Sequence, residues 1–270
     1  METEPQERRL LDRMGAIGPV AVAYSGGVDS ALVLAAAVRA LGAERVVAVT
    51  AVSESLAAGE LPRAARLAES LGVLHLTPRT GELSRPGYRA NGRDRCYFCK
   101  SEVLDTIMAL ARAHGYGQVA TGTNADDARD PHRPGIRAGH ERGVHTPLLD
   151  TGLDKAAVRR ISRAWALPTW DKPATPCLAS RIRYGIEVTP HRLARVDRAE
   201  TAVRALLADA GLAVTDLRVR DLGDTVRLEV DPALVDRVAA HPGIPRAMTG
   251  AGFDGVPHRV EAFRSGRLNE

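Results

Sequence analysis

Short apolar runs alternate with segments of helical periodicity through the first half of the chain. Strands are predicted at residues 19–25, 44–52, 73–78 and from 118, and helices at 29–41, 59–71, 99–114 and 154–166. Strands that alternate with helices predict βαβ units and a parallel sheet. In an open sheet of this kind, ligands bind where the strands reach their carboxyl ends.

The pattern changes after the sequence DKPATP at residues 171–176. A long helix is predicted at 190–210, two alternating strands at 217–230 joined through Leu222-Gly223-Asp224, and a helix near 232–240. We therefore predict an α/β domain at residues 1–172 and a smaller α+β domain at 173–270. Residues 129–145 are rich in Arg, His, Gly and Pro and are predicted to form an exposed loop.

Composition narrows the class of protein. The chain of 270 residues is long enough for two domains. No apolar run approaches the roughly 18 residues needed to span a bilayer, and the charged N-terminus lacks the apolar core of a secretory signal, so we expect a cytoplasmic protein without a membrane partner. The 37 basic residues stand against 33 acidic ones and form no blocks, so we expect anionic small molecules rather than nucleic acid as ligands.

The three cysteines need an explanation other than disulfides, because an odd number in a reducing compartment argues against a disulfide framework. Cys96 and Cys99 lie one helical turn apart, a spacing compatible with a metal, an iron–sulfur cluster, a redox dithiol or a structural pair. The neighbouring Arg95 and Lys100 favour thiolate and hence reactivity. Cys177 lies apart from them, in the predicted turn ATPCLASRIRYG.

The sequence SGGVDS at residues 25–30 stands between the first strand and the first helix. Glycines there let the backbone approach a ligand, and the start of a helix favours an anion. The fingerprint GxxxxGK(S/T) is absent, and no GxGxxG follows the first strand. SGGVDS instead resembles the PP-loop of the ATP pyrophosphatase superfamily, which holds the pyrophosphate of ATP. The resemblance implies that the loop's ATP-binding residues are Ser25, Gly26, Gly27, Asp29 and Ser30.

A second sequence, TGTNADD at residues 121–127, follows the fourth predicted strand. It resembles the superfamily's loop on the adenine and magnesium side, which implies contacts to nucleotide and Mg²⁺ from Thr123, Asp126 and Asp127. Carboxylates are the ligands that Mg²⁺ prefers. The alternative is a turn rich in Asn and Asp that caps the next segment.

The motifs SGGVDS, CYFCK, TGTNADD and PCLASRIRYG, in this order, resemble the LarE family of ATP-dependent sulfur transferases, which make the pincer ligand of a nickel cofactor. The resemblance covers roughly residues 17–230. It implies that the chain adenylates a pyridinium-3,5-dicarboxylate mononucleotide, releases pyrophosphate and converts the carboxylate to a thiocarboxylate. It also implies a homo-oligomer and contacts with other proteins of nickel-pincer nucleotide biosynthesis.

The source of the sulfur stays open on the sequence. In single-cysteine members of the family, the residue that matches Cys177 gives up its own sulfur. This chain also keeps Cys96 and Cys99, and a branch with three cysteines uses them to hold a 4Fe–4S cluster with one open iron.

The resemblance gives roles to further charged residues. Lys100 would neutralise phosphate charge as a catalytic residue, and Asp127 and Glu229 would bind a divalent cation. The implied substrate-binding residues are Ser180, Arg181, Glu200, Arg218 and Arg220. The alternation of LRVR by itself places Arg218 and Arg220 on a solvent-exposed strand face.

Three other functions share some of these motifs. A PP-loop tRNA thiolase also uses CxxC and a third cysteine, but it needs a dense basic surface for RNA. A PP-loop amidoligase uses ammonia and needs neither CxxC nor PCLASRIRYG. The third alternative is a non-catalytic sensor of nucleotide or iron–sulfur clusters.

Overall fold

The structure is a computed structural model and describes residues 3–129 and 134–264. The described residues divide into two units. Unit 1 takes them from Met1–Ser53, Gly59–Arg85 and Arg93–Ala174, and unit 2 from Glu54–Ala58, Pro86–Gly92 and Thr175–Glu270. Two short pieces of the N-terminal half therefore belong to unit 2. No helix in the described parts of the chain is long and apolar enough to cross a membrane.

The parallel sheet predicted for the first half is confirmed in unit 1. Its four strands lie in the order β3-β2-β1-β4, and every neighbouring pair is parallel. Val20 of β1 pairs with Val46 of β2 on one side and with Gln118 of β4 on the other. The strands are β1 (Val20–Ala23), β2 (Val46–Val49), β3 (Leu74–Leu76) and β4 (Gln118–Ala120).

Successive strand side chains point to opposite faces of this sheet, and both faces carry apolar residues. Helices therefore cover both faces. Val20 and Val22 join a core with α1, α2, α3 and α9. Ala21 and Val47 join a second core with Ile107 of α5. The helices of unit 1 are α1 (Thr3–Ile17), α2 (Val28–Leu41), α3 (Glu60–Ser70), α5 (Arg95–Ala113), α6 (Ala125–Arg129), α7 (Pro134–Glu141), α8 (Pro147–Asp150) and α9 (Lys155–Ala164).

The predicted exposed loop at 129–145 is wrong over residues 134–141, which form α7. Its residues 130–133 lie outside the described parts of the chain. The helix is held on α5 by a hydrogen bond of 2.6 Å from the Tyr97 hydroxyl to Glu141, and Arg142 just beyond it donates to Asp105 at 2.7 Å. Contacts of this kind override the weak helix propensity of a segment rich in Gly, His and Arg.

Unit 2 contains a three-stranded sheet in the order β5-β6-β7, in which β5 and β6 are antiparallel and β6 and β7 are parallel. The hairpin forms where the pattern predicted it, whereas β7 and the last helix were not predicted. The elements are α4 (Pro86–Arg89), α10 (Pro190–Asp209), β5 (Leu217–Asp221), β6 (Val226–Val230), α11 (Val235–Ala239), α12 (Ile244–Ala251) and β7 (His258–Ala262).

Strand β5 is buried at every position, so the expectation of a solvent-exposed face for LRVR is wrong. Arg218 and Arg220 are only 6% and 7% exposed. The Arg220 side chain is tolerated there because it pairs with the buried carboxylate of Glu229 at 2.9 Å.

Candidate active site

The loop between β1 and α2 is shaped by Gly26, whose φ of +73° lies in the left-handed region. A Cβ at this position would lie 3.2 Å from the Cβ of Ala64 in α3, so both backbone angle and space favour glycine. The Lys172 ammonium donates to the Gly26 carbonyl at 2.9 Å and to Glu60 at 2.6 Å. Sequence reasoning missed Lys172, which fixes the loop from outside the motif.

Two serines close the same loop. The Ser30 hydroxyl accepts from the backbone N–H of Ser25 at 3.2 Å and donates to the Gly27 carbonyl at 3.1 Å. The Ser25 and Ser30 hydroxyl oxygens are 3.1 Å apart. The loop thus ends at the first turn of α2, where backbone N–H groups and the helix dipole favour an anion.

Asp29 joins this loop to the turn after β4. Its carboxylate accepts from the Asn124 side-chain amide at 3.1 Å and forms an ion pair with Lys155 at the start of α9. Gly122 permits the contact, since a Cβ there would lie 2.7 Å from the backbone nitrogen of Ser30. SGGVDS and TGTNADD therefore lie together, and Asn124 and Lys155 are site residues that sequence reasoning did not select.

The TGTNADD turn also caps α6. The Asn124 side-chain oxygen accepts from the backbone N–H groups of Asp126 and Asp127 at 2.9 and 3.0 Å. Asp126 accepts from the backbone N–H of Lys155 at 2.9 Å, and the Thr123 hydroxyl lies 3.3 Å from that of Thr121. The capping role is thus present, and it places carboxylate oxygens at the carboxyl end of β4.

Cys96 and Cys99 lie in the first turns of α5, which begins four residues before the predicted start. Cys96 is exposed and Cys99 is partly buried. Burial lowers the pKa of Lys100, and the charges of Cys99 and Asp127 oppose that shift. Lys100 is therefore within electrostatic range of Cys99 and of Asp127 in the turn after β4. Among the described residues of either unit, no three His, Cys, Asp or Glu side chains converge on a point that could hold a metal ion.

Cys177 of unit 2 is exposed and immediately precedes the 3₁₀ turn Leu178–Arg181. The backbone N–H of Leu178 donates to the carbonyl of Ser55 at 2.8 Å, and that of Ser180 donates to the Cys177 carbonyl at 2.9 Å. All three cysteines are among the described residues, and none of them forms a disulfide.

Several of the predicted substrate-binding residues surround this turn. Arg181 is 1% exposed and donates to both Glu200 oxygens, at 2.9 and 3.2 Å. Glu200 also accepts from the backbone N–H of Val219 at 3.0 Å. Arg220 donates to the Ser180 carbonyl at 2.9 Å. Burial and the nearby charge of Arg181 lower the pKa of Arg218, whose guanidinium donates to the Leu217 carbonyl at 3.0 Å. Their contacts to substrate stay a prediction.

A parallel sheet whose first strand passes through SGGVDS into a helix defines a PP-loop protein, and the NAD synthase family model matches residues 8–83. The chain is 41% identical over 98% of its length to the uncharacterized protein slr1717 of Synechocystis sp. (strain ATCC 27184 / PCC 6803 / Kazusa), covering 97% of that protein. It is 32% identical over 93% of its length to the pyridinium-3,5-bisthiocarboxylic acid mononucleotide synthase of Lactiplantibacillus plantarum (strain ATCC BAA-793 / NCIMB 8826 / WCFS1), covering 89% of that enzyme. The chain belongs to the LarE family of ATP-dependent PP-loop sulfur transferases.

Proposed function

We propose that this protein adenylates a carboxylate of a pyridinium-3,5-dicarboxylate mononucleotide and converts it to a thiocarboxylate. The observation that carries the proposal is the junction at Asp29, where the pyrophosphate-type loop and the turn after β4 meet. This junction occurs in a chain that matches the Lactiplantibacillus synthase over 93% of its length. The product would serve the assembly of a nickel-pincer cofactor.

In the first step, a carboxylate oxygen of the substrate attacks the α-phosphorus of ATP, and pyrophosphate leaves. The loop closed by Ser25 and Ser30 would hold the departing pyrophosphate at the start of α2. Lys100 would offset phosphate charge from the side of Asp127. The product is an acyl-adenylate, in which AMP is the leaving group for the second step.

The Asp127 carboxylate accepts from the backbone N–H of Asn124 and fits Mg²⁺, which would neutralise phosphate charge when bound, whereas the Asp29 carboxylate is already paired with Lys155. Glu229 does not fit such a cation. It is fully buried, and its two oxygens face the guanidinium groups of Arg220 and Arg227 at 2.9 and 3.1 Å. We therefore keep Asp127 in the proposed cation site and omit Glu229.

Cys177 would supply the sulfur in the simplest second step. Its thiolate attacks the acyl carbon, AMP leaves, and a thioester to Cys177 forms. Loss of the Cα proton of Cys177 then breaks its Cβ–S bond. The electron pair goes to sulfur, which leaves a thiocarboxylate on the substrate and dehydroalanine in the chain. No electrons are exchanged with an outside reagent, and each chain would act once.

The presence of Cys96 and Cys99 favours a sulfur source that is not consumed in the reaction. Three thiolates suit a 4Fe–4S cluster, and two of them lie one turn apart at the start of α5. Cys96 and Cys177 are both exposed, and Cys99 is partly buried. We propose that the three cysteines hold this cluster, which would supply sulfide when bound.

The test measures two steps on protein purified without oxygen. Pyrophosphate release should require the dicarboxylate mononucleotide, and Cys177→Ala should retain it while making no thiocarboxylate, because adenylation does not use the thiol. Asp29→Ala should lose both steps. Pyrophosphate release that depends on bulk tRNA or ammonia instead of the mononucleotide would contradict the proposal.

Metal analysis of the same protein separates the two sulfur sources. About four irons per chain, lost in Cys96→Ala, would support the cluster. Iron-free protein that loses one H₂S in mass per turnover would make Cys177 the consumed donor.

A further inference from the structure

We infer that Arg181 and Arg220 are positioning residues that clamp the turn carrying Cys177, and that Glu200 and Glu229 orient them for this task. The inference deepens the proposed function and rests on it, because it assumes that Cys177 donates sulfur or ligates the group that does. It assigns these four residues to the cysteine turn instead of to substrate or metal.

Arg181 holds the first half of the turn. One terminal nitrogen of its guanidinium donates to the carbonyls of Pro176 and Cys177, at 2.5 and 3.3 Å, and lies 3.1 Å from the Ser180 hydroxyl oxygen. Its other two nitrogens both donate to Glu200. A guanidinium has five N–H donors in a fixed plane, and every nitrogen here already has an acceptor within the unit.

Arg220 holds the second half of the turn from β5. It donates to the Ser180 carbonyl at 2.9 Å and to Glu229 at 2.9 Å. Glu229 is fully buried, and Arg227 lies on its second oxygen at 3.1 Å. The two arginines therefore donate hydrogen bonds to backbone carbonyls on either side of Leu178 and Ala179.

The buried glutamates explain why these arginines are poorly placed to bind substrate. A substrate anion that recruited Arg181 would have to displace Glu200, which is 7% exposed and would be left as a buried charge without its cation. Bidentate pairing instead fixes the plane of the guanidinium and so aims its remaining donors at the turn. The clamp holds the carbonyls of Pro176 and Cys177 while the Cys177 residue stays exposed.

The experiment compares Arg181→Lys with the matched control Arg192→Lys. Arg192 pairs with buried Asp221 at 2.7 and 2.9 Å in the same unit, and its hydrogen bonds do not reach the Cys177 turn. Lysine keeps the charge but cannot bridge a carboxylate and two carbonyls. Three quantities are measured: amide hydrogen exchange at Leu178 and Ser180, the rate of Cys177 alkylation by iodoacetamide in iron-free protein, and kcat and KM for the first sulfur transfer made by each chain.

The clamp predicts that Arg181→Lys speeds exchange of these two amides about tenfold or more, since charge-assisted hydrogen bonds to the turn are lost. Cys177 alkylation should change severalfold, and kcat should fall by roughly 10²-fold with KM for the mononucleotide within about twofold. Arg192→Lys should leave exchange and alkylation at wild-type rates.

A raised KM with unchanged exchange and alkylation would overturn the clamp and restore substrate binding by Arg181. Equal effects in Arg192→Lys would overturn it as well, because they would show a general loss of structure. If Arg181→Lys does not fold, Arg220→Lys gives the same test from the other half of the turn. If the wild type transfers no sulfur, the proposed function fails, while exchange and alkylation still decide the clamp.

Discussion

Replacing Gly122 by alanine tests whether the close approach of the β4 turn to α2 builds the nucleotide site. The new Cβ would lie 2.7 Å from the Ser30 nitrogen, 2.9 Å from the Asp29 carbonyl carbon and 3.0 Å from the Ser30 Cα. All three atoms belong to backbone, so no flexible side chain can move aside. Relieving these contacts needs a shift of roughly 0.5 Å between the turn and the helix, and overpacking of this kind costs about 1–3 kcal/mol.

That cost corresponds to a fall in Tm of about 2–10 °C. The shift would also move Asn124 away from Asp29, so we expect ATP binding and pyrophosphate release to fall by more than about tenfold, as misplaced site residues produce. Calorimetric melting and a pyrophosphate assay measure the two effects. Gly117→Ala is the matched control, because a Cβ there meets nothing within 4 Å. A Gly122→Ala protein that melts and binds ATP like the wild type would refute this account of the site.

Two further experiments test buried charges in unit 1. Lys172→Met should cost about 3 kcal/mol and slow pyrophosphate release, because it frees the Gly26 carbonyl and leaves the carboxylate of Glu60 without its buried cation. Adding Glu60→Gln should recover part of the lost Tm but not of the rate, and full recovery of both would contradict a role in holding the loop. Burial raises the pKa of Glu82, so its contribution to stability is present at low pH and is lost as the pH rises. The Tm of Glu82→Gln relative to wild type should therefore rise from about pH 4 to pH 7, and a difference that is constant with pH would count against the buried charge.

The sequence predicted the part of the fold that local pattern determines. Apolar runs near Val20 and Val46 became strands that are buried in the sheet, and the run near Leu74 became the partly exposed strand β3 beside them. Motifs that directly follow strands lie at one edge of the sheet, because the carboxyl ends of parallel strands meet there. The sequence therefore predicted that SGGVDS and TGTNADD serve one nucleotide site.

The residues that complete the site depend on contacts between distant parts of the chain. Lys155 lies 126 residues from Asp29, and Lys172 lies 146 residues from Gly26, so no local spacing connects them. The alternation of β5 gave the wrong environment for Arg220, because the pattern does not show that the buried Glu229, a diagonal neighbour on β6, pairs with it. A charged residue in an alternating pattern is predicted to be exposed unless the residue that pairs with its charge is known.

The interleaving of the two units along the chain has a consequence for synthesis. Asn91 is fully buried, and its amide donates to the carbonyls of Arg183 and Ile186 at 2.9 and 2.7 Å. While a ribosome is still making the first 180 residues, the Asn91 side-chain amide does not yet have these two acceptors. The second unit therefore cannot mature independently of the first half of the chain. A fragment that starts at Thr175 should fail to fold as a transplantable domain, whereas supplying residues 54–58 and 86–92 would restore its missing pieces.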